Sequence, residues 1–380
     1  MADNDLSAIA KRYYLQALAQ ELLPRERVAM CMKHRQSKGA PVEVQRDWDT
    51  GKVRYANLMT CSSIWNCPVC AARITEQRRA EMRAALEVAR GLKLVPVLIT
   101  LTVKHGSYHQ LPELLTRMSE GYRKTKSGRA WQKFSARWGI IGNVRAFEIT
   151  HGGHGWHPHI HELTLLEPAH LCTYETQEAA TEALKEEFYG LWSAGLAKYD
   201  LSCSYDHGVD VTFAHAGIAD YLAKYGRLPE DKKDWSQAEE LTKAPTKQAR
   251  KQNRTPYELL ASYGEGDKEA GRLFQAYASA MRGKHQLQWT RKLREILGIG
   301  ELTPDADVSD FEPEARIQVL AQLDAEAWRV IIKQGLRGEL LEVAAEGDPE
   351  KLWDWLDMVP DMAPRDHWLR DYGLVAPVHK

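Results

Sequence analysis

The order of apolar and polar positions predicts a chain of helices interrupted by short strands. Runs rich in β-branched residues at 94–103, 144–150 and 209–213 predict buried strands, and residues 42–59 predict a hairpin. Charged segments with helical patterning predict helices up to Leu23 and over 75–92, 110–136, 175–197, 216–225, 256–297, 312–344 and 349–357. The sequence therefore predicts an α+β chain, and it contains no internal repeat.

The run HPHIHELTLL at 157–166 predicts a further strand, joined to strand 144–150 by a glycine-rich turn as an antiparallel hairpin. On a strand, residues two apart point to the same face, so His159 and His161 project together. Two neighbouring imidazoles form a two-point ligand for several divalent ions.

The neighbouring strand offers a third ligand for such an ion. Glu148 is a polar position between Phe147 and Ile149, and pairing through the turn would bring it to the two histidines. A set of two histidines and one carboxylate with open positions is typical of a catalytic metal site. His157 is an additional candidate ligand. The competing interpretation is that these histidines are surface or packing residues.

The segment 221–225, YLAKY, predicts one helical surface that carries two phenols and an ammonium, because positions i, i+3 and i+4 are neighbours. A phenol with a pKa of about 10 is a weak nucleophile at neutral pH, so a nearby ammonium and a metal that polarises a phosphate would help it. Tyr221, Tyr225 and Lys224 are therefore candidate catalytic residues. Helix packing is the competing interpretation of the two tyrosines.

The six cysteines predict a metal site rather than disulfides. Cys61, Cys67 and Cys70 contain the C-x2-C spacing that suits tetrahedral zinc, and either Cys31 or His34 can supply the fourth ligand. The competing interpretation is a set of reduced, buried cysteines. Cys172 and Cys203 have no partner at useful spacing and are expected to be packing residues.

Charge is distributed unevenly along the 380 residues, although the formal net charge is only −1. Residues 301–361 carry 16 acidic and 5 basic side chains, and residues 362–380 carry 2 acidic and 3 basic ones, which leaves the first 300 residues with a net charge of +9. A basic body can meet phosphates, whereas the acidic region fits protein contacts better. The N-terminus has no apolar signal core and no apolar run is long enough for a membrane span, so we expect a cytoplasmic protein without a membrane partner.

Three motifs in order resemble those of the HUH endonucleases, specifically the plasmid- or phage-type rolling-circle replication initiators. LITLTVKH at 98–105 resembles the first motif, GWHPHIHELTLL at 155–166 the metal-binding motif, and ADYLAKYG at 219–226 the tyrosine motif. The cysteine segment 61–74 and the segment GKHQLQWTRKLREILGI at 283–299 also resemble segments of these proteins. The resemblance covers roughly residues 60–300.

The resemblance implies a central antiparallel sheet with flanking helices, preceded by a zinc-knuckle segment and followed by a helical C-terminal region. The segments expected are an N-terminal helix and zinc-binding segment at 1–75, the nuclease core at 76–228, a charged linker and helical segment at 229–305, and an acidic helical region at 306–380.

The activity that the resemblance implies is nicking of single-stranded or hairpin DNA at a replication origin. A tyrosine would form a 5′-phosphotyrosine bond with the help of Mg²⁺ or Mn²⁺ and free a 3′-OH primer, and the reverse step would rejoin strands. Structural Zn²⁺ and contact with a host helicase or polymerase are further expectations.

One departure and two alternatives accompany this interpretation. Some plasmid members have a glutamate four residues before the nucleophilic tyrosine, where this chain has Tyr221, so the chain follows the two-tyrosine pattern of phage-type members. Either tyrosine can attack first. The alternatives are a transposase of the same superfamily and a non-catalytic, zinc-containing DNA-binding module.

Overall fold

A computed structural model of the protein describes residues 7–213, 253–301, 304–305, 308 and 315–362. In those ranges no helix combines the length and the apolar character that crossing a membrane requires.

Helices and strands are mixed along the described part of the chain. They are α1 (Ala8–Leu22), β1 (Val42–Asp47), β2 (Val53–Ala56), α2 (Pro68–Gly91), β3 (Val95–Leu101), α3 (Leu111–Thr125), α4 (Gly128–Arg137), β4 (Ile140–Gly152), β5 (Gly155–Leu166), α5 (Gln177–Ala197), α6 (Tyr205–Gly208), β6 (Val209–Phe213), α7 (Pro256–Gly264), α8 (Lys268–Ala280), β7 (Leu287–Trp289), α9 (Leu293–Ile296), β8 (Ile317–Leu323), α10 (Ala325–Lys333), α11 (Arg337–Ala345) and α12 (Pro349–Met358). Short 3-10 turns lie at Arg27–Met30 and Pro168–Leu171.

The chain forms two compact units. The first combines residues 1–73, 263–266 and 304–380, and the second comprises 74–262 and 267–303. The N-terminal and C-terminal parts of the sequence thus share one unit, and most of the second unit is inserted between them.

The second unit is built on a five-stranded antiparallel sheet in the order β6-β3-β5-β4-β7. Long apolar strands alternate their side chains between two faces. Helices α3 and α5 lie on the face that carries Ile99 and Ile160, and the Trp192 indole of α5 donates a hydrogen bond to the Thr102 carbonyl over 3.0 Å. The opposite face carries His159 and His161.

The first unit contains a three-stranded sheet in the order β2-β1-β8, with β1 antiparallel to both neighbours. Helices α1 and α11 pack against each other. The Tyr55 hydroxyl of β2 donates a hydrogen bond to the Arg337 carbonyl over 2.6 Å, and its ring packs against Trp328 with centroids 4.9 Å apart. These contacts tie the N-terminal hairpin to the C-terminal helices.

The predicted fold class is confirmed: the chain is mixed α+β, with an antiparallel sheet, flanking helices, a cysteine cluster before the sheet and helices near the C-terminus. The predicted hairpin at 42–59 and the predicted strands also form. The segment 216–225, expected to be helical, lies outside the described residues.

Three predicted helices were wrong in extent. The stretch 110–136 forms two helices because Gly128 has a φ of +77°, a conformation that interrupts a right-handed helix. The stretch 256–297 is broken at Gly266, whose φ is +105°, and ends in β7 and α9. Residues 317–323, expected to be helical, form β8 because they pair with β1.

Candidate metal centre and its surroundings

Glu148, His159 and His161 form a cluster on the sheet face opposite α3 and α5. The register of β4 and β5 places Glu148 directly across from His159, so the two side chains share a face. Ligand atoms of all three residues lie within 4.8 Å of one another, and His161 Nε2 lies 2.6 Å from Glu148 Oε2. Glu148 and His161 are buried, and His159 is half-buried. Two imidazoles and one carboxylate with one accessible side can hold a divalent cation and leave positions open for a substrate.

Thr100 on β3 holds the His161 ring from its other side. The residues are paired across the two strands, and Thr100 Oγ1 lies 3.1 Å from His161 Nδ1. A hydroxyl that accepts a hydrogen bond from Nδ1–H leaves the lone pair on Nε2, which faces the cluster. Thr100 was not among the predicted site residues, although a polar residue inside the apolar strand segment LITL can indicate a role in a site.

A buried ionic group supports β5 from the helix-covered face. Glu162, which directly follows His161 on β5, is fully buried. It accepts hydrogen bonds from the Tyr122 hydroxyl over 2.6 Å and the Thr164 hydroxyl over 2.8 Å. Lys126 forms an ion pair with Glu162, and its Nζ lies 4.0 Å from the Trp131 ring centroid. Burial lowers the pKa of Lys126, and Glu162 opposes that shift. This group fixes the strand that carries His159 and His161.

His157 lies next to the cluster but outside it. Its ring centroid is 4.5 Å from that of His159, whereas its Nδ1 contacts Nε2 of His105, just beyond the end of β3. Burial, together with the neighbouring His105, lowers the pKa of His157 to about 4. Burial also lowers the pKa of His105. Both imidazoles are therefore neutral near pH 7.

Cys31, Cys61, Cys67 and Cys70 form a second, fully buried cluster, with sulfur atoms all within 4.8 Å of one another. Sulfur separations of 3.6 Å for Cys31–Cys70, 3.7 Å for Cys61–Cys70 and 3.8 Å for Cys67–Cys31 exclude disulfides. Four thiolates arranged tetrahedrally at a Zn–S distance of about 2.3 Å would be about 3.8 Å apart. His34 is exposed and is not a member of this cluster.

Amide groups and one guanidinium surround the cysteine cluster. The backbone N–H groups of Cys61 and Cys70 point at Cys31 Sγ and Cys67 Sγ over 3.4 and 3.5 Å. Gln16 Nε2 donates to Cys67 Sγ over 3.2 Å, and the buried Arg337 donates to Gln16 Oε1 over 2.7 Å. The neighbouring thiols and burial raise the pKa of Cys61. A cation would reverse that effect, and the surrounding donors suit thiolates, so the residues present fit a zinc ion.

Of the remaining residues considered in the sequence, the described Cys172 and Cys203 join neither cluster. Tyr221, Lys224 and Tyr225 lie outside the described residues. The described residues flanking that part of the sequence both attach to the central sheet, because Phe213 ends β6 and Arg254 pairs with His151 at the end of β4. Cys203 is buried, and Cys172 is exposed.

Comparison with known proteins identifies the family. The profile of the family described as replication protein matches residues 52–330. Protein rep of Streptomyces lividans is 29% identical over 357 residues, which span 76% of this chain and 76% of that protein. The neomycin resistance protein of Streptomyces cyanogenus is 29% identical over 134 residues, 29% of this chain and 31% of that protein. No solved structure matches the chain.

The matched profile covers most of the chain, so the chain belongs to the replication protein family. Together with the similarity to Protein rep, this confirms the resemblance to Rep-type replication initiators that the motifs indicated. The role of the protein is therefore in DNA replication.

Proposed function

We propose that this protein nicks and rejoins DNA at a replication origin, using a tyrosine nucleophile and a divalent cation. The observation that carries the proposal is the Glu148–His159–His161 cluster, whose ligand atoms lie within 4.8 Å of one another on the central sheet. Membership of the replication protein family supplies the DNA context. Mg²⁺ or Mn²⁺, the ions that the family resemblance implies, would bind the Glu148 carboxylate and take further oxygen ligands at the open positions.

The chemistry is an exchange of phosphodiester bonds. The phenolic oxygen of Tyr221 or Tyr225 bonds to the scissile phosphorus, and the bond from phosphorus to the 3′ oxygen breaks. The phenol loses one proton and the departing 3′ oxygen gains one, so a free 3′-OH primer and a 5′-phosphotyrosine result. A bound cation would stabilise charge on a non-bridging phosphate oxygen. A 3′-OH attacking the phosphotyrosine reverses the step and joins strands.

The residues of the chain have separate tasks in this scheme. Thr100 orients His161 so that the lone pair of Nε2 faces the phosphate side of the sheet. Glu162 and Lys126 keep β5 in place behind the histidines. Lys224, which directly precedes Tyr225 in the sequence, would lower the pKa of a phenol near it.

A structural zinc ion in the cysteine cluster is the second part of the proposal. Sulfur separations of 3.6 to 3.8 Å and the surrounding N–H donors support it. Contact with a host helicase or polymerase would then involve the acidic segment 301–361, whose described part contributes β8 and α10 to α12 to the first unit.

The decisive experiment is covalent capture of a labelled single-stranded origin oligonucleotide with Mn²⁺, resolved on a denaturing protein gel. We expect a labelled band at the mass of the protein that requires metal, His159 and His161. Tyr221→Phe combined with Tyr225→Phe should abolish the band and retain DNA binding. Tyr199→Phe, a change outside the cluster, is the matched control and should retain both.

Two outcomes would contradict the proposal. Continued nicking by the double tyrosine variant would exclude the tyrosine mechanism. DNA binding without a covalent band across several origin-derived oligonucleotides would favour the zinc-containing DNA-binding module.

A further inference from the structure

A pair of histidines beside the Glu148–His159–His161 cluster has no part in the chemistry described above. His105 follows the end of β3, and His157 lies on β5 on the same face as His159 and His161. Nε2 of His105 and Nδ1 of His157 are in direct contact, with ring centroids 4.4 Å apart and ring planes inclined by 62°. The rings therefore meet through their nitrogens rather than by stacking.

The hydrogen bonding of His105 determines which of its nitrogens is free to bind. Its Nδ1 lies 3.2 Å from the carbonyl oxygen of His154. A carbonyl only accepts hydrogen bonds, so Nδ1 carries the proton and the neutral ring has its lone pair on Nε2. That lone pair points to His157. A histidine held by a backbone carbonyl through one nitrogen is the usual arrangement of a metal ligand that binds through the other.

The backbone around the pair is already fixed. The loop after His105 is closed by two hydrogen bonds of 3.0 Å, from the His109 N–H to the Gly106 carbonyl and from the Gly106 N–H to His109 Nδ1. The turn between β4 and β5 packs directly on this loop, because a Cβ on Gly155 would lie 2.9 Å from Ser107 Cα. Binding an ion would thus require only small ring rotations.

We propose that His105 and His157 bind a second divalent cation of the imidazole-preferring class, such as Zn²⁺, Co²⁺ or Ni²⁺. The His157 and His159 ring centroids are 4.5 Å apart, which places this site directly beside the first cluster. Two protein ligands leave several positions for water or a phosphate oxygen. The site is therefore suited to a phosphate that neighbours the one held at Glu148, His159 and His161.

The test counts bound Co²⁺ on the full-length protein, by calorimetry and by metal analysis after dialysis. The protein is first loaded with one equivalent of Zn²⁺, and thiolate-to-cobalt absorption bands report any Co²⁺ that enters the cysteine cluster. We expect His105→Asn and His157→Asn each to lose one bound Co²⁺. The double variant should lose no more than either single variant, because both residues serve one site.

Two variants serve as controls. His154→Asn removes a neighbouring imidazole but keeps the carbonyl that holds His105, so it should retain the full number of ions. His159→Asn should lose the ion of the first cluster and keep the second. Circular dichroism of each zinc-loaded variant, recorded before Co²⁺ is added, shows that it is folded before the ions are counted.

An unchanged Co²⁺ count in His105→Asn would overturn the proposal and show that the two rings only share a hydrogen bond. Loss of two ions in the same variant would also overturn it, because His105 would then support the first cluster instead of a separate site. Neither count depends on nicking, so the result stands apart from the tyrosine mechanism.

Discussion

The Glu148–His159–His161 cluster and the cysteine cluster both gather metal-type ligands, but the chain builds them differently. The first comes from two adjacent strands of one hairpin, and its members already contact one another through the 2.6 Å approach of His161 to Glu148. The second comes from three separate segments, at Cys31, at Cys61 and at the start of α2.

The difference teaches how each cluster depends on an ion. Strand pairing holds the histidine cluster in place without any ion, and one accessible side remains for a substrate. The cysteine cluster is fully buried, and only a short backbone pairing of 32–34 with residue 59 and the first turn of α2 bring its four thiols together. An ion should therefore matter for reactivity in the first cluster and for folding in the second. Four substitutions test that comparison.

The largest expected effect is on the folding of the first unit. Cys67→Ser should abolish zinc binding and cost on the order of 10 kcal/mol of the metal-dependent folding free energy, because a structural zinc site folds with its metal. Zinc content and thermal unfolding measure this. Cys172→Ser, which changes a cysteine outside the cluster, should keep the zinc, whereas His161→Asn should keep both zinc and fold. Equal melting temperatures for the Cys67 and Cys172 variants would refute a structural role.

The next largest effect is expected on the stability that the Lys126–Glu162 ion pair gives to β5. Lys126→Met leaves the fully buried Glu162 without its ion pair, which should lower the free energy of unfolding by about 3 kcal/mol. Chemical denaturation measures the loss. Lys133→Met, at an exposed position of the same region, should change stability by no more than about 0.5 kcal/mol. An unchanged free energy of unfolding for Lys126→Met would mean that the Lys126–Glu162 ion pair does not stabilise β5.

A smaller effect is expected at the hydroxyl that orients His161. Thr100→Val keeps the shape but removes the partner of Nδ1, so Mn²⁺ should bind about 10-fold more weakly with the fold intact. Thr100→Ser should restore most of the affinity because it restores the hydroxyl. Equal Mn²⁺ affinity of the Thr100→Val and Thr100→Ser variants would show that the Thr100 hydroxyl does not orient His161. Calorimetric titration separates these cases.

The smallest effect is expected on the rate at which the cysteine cluster loses zinc when Arg337 is changed. Arg337→Lys keeps the charge but not the planar donors that reach Gln16 over 2.7 Å and Gln20 over 3.5 Å, so zinc should transfer to a chelator a few-fold faster, equivalent to about 1 kcal/mol. Arg329→Lys, an exposed change in the same unit, should leave the rate unaltered. Identical rates for both variants would remove Arg337 from the zinc environment.

The alternation of polar and apolar residues along β4 and β5 was enough to predict that Glu148, His159 and His161 share one face of the sheet. The alternation in HPHIH and in VRAFEIT determines which residues share a face, and the short turn between them sets the pairing of Glu148 with His159. The same reasoning did not find His105, because a single histidine after a strand acquires meaning only when the β4–β5 turn brings His157 and the His154 carbonyl to it.

Contacts between distant segments explain what the sequence did not indicate. Whether Cys31 or His34 completes the cysteine cluster depends on how their segment pairs with residues 57–59. In that pairing the Met32 N–H donates to the Met59 carbonyl over 2.7 Å, and the Met59 N–H donates to the His34 carbonyl over 2.9 Å. That pairing places Cys31 next to Cys61. Likewise, residues 317–323 have no local strand signal strong enough to outweigh helix patterning, and they become a strand through β1.

The pairing of β1 with β8 also sets the order in which a growing chain can fold. Glu43 and Gln322, which are hydrogen-bonded over 3.0 Å, are 279 residues apart in sequence. During synthesis, the five-stranded sheet and its histidines are complete before β8 leaves the ribosome, whereas β1 and α1 must wait for it. The nascent protein would thus hold a finished histidine hairpin while its first unit still lacks the strand that closes its sheet.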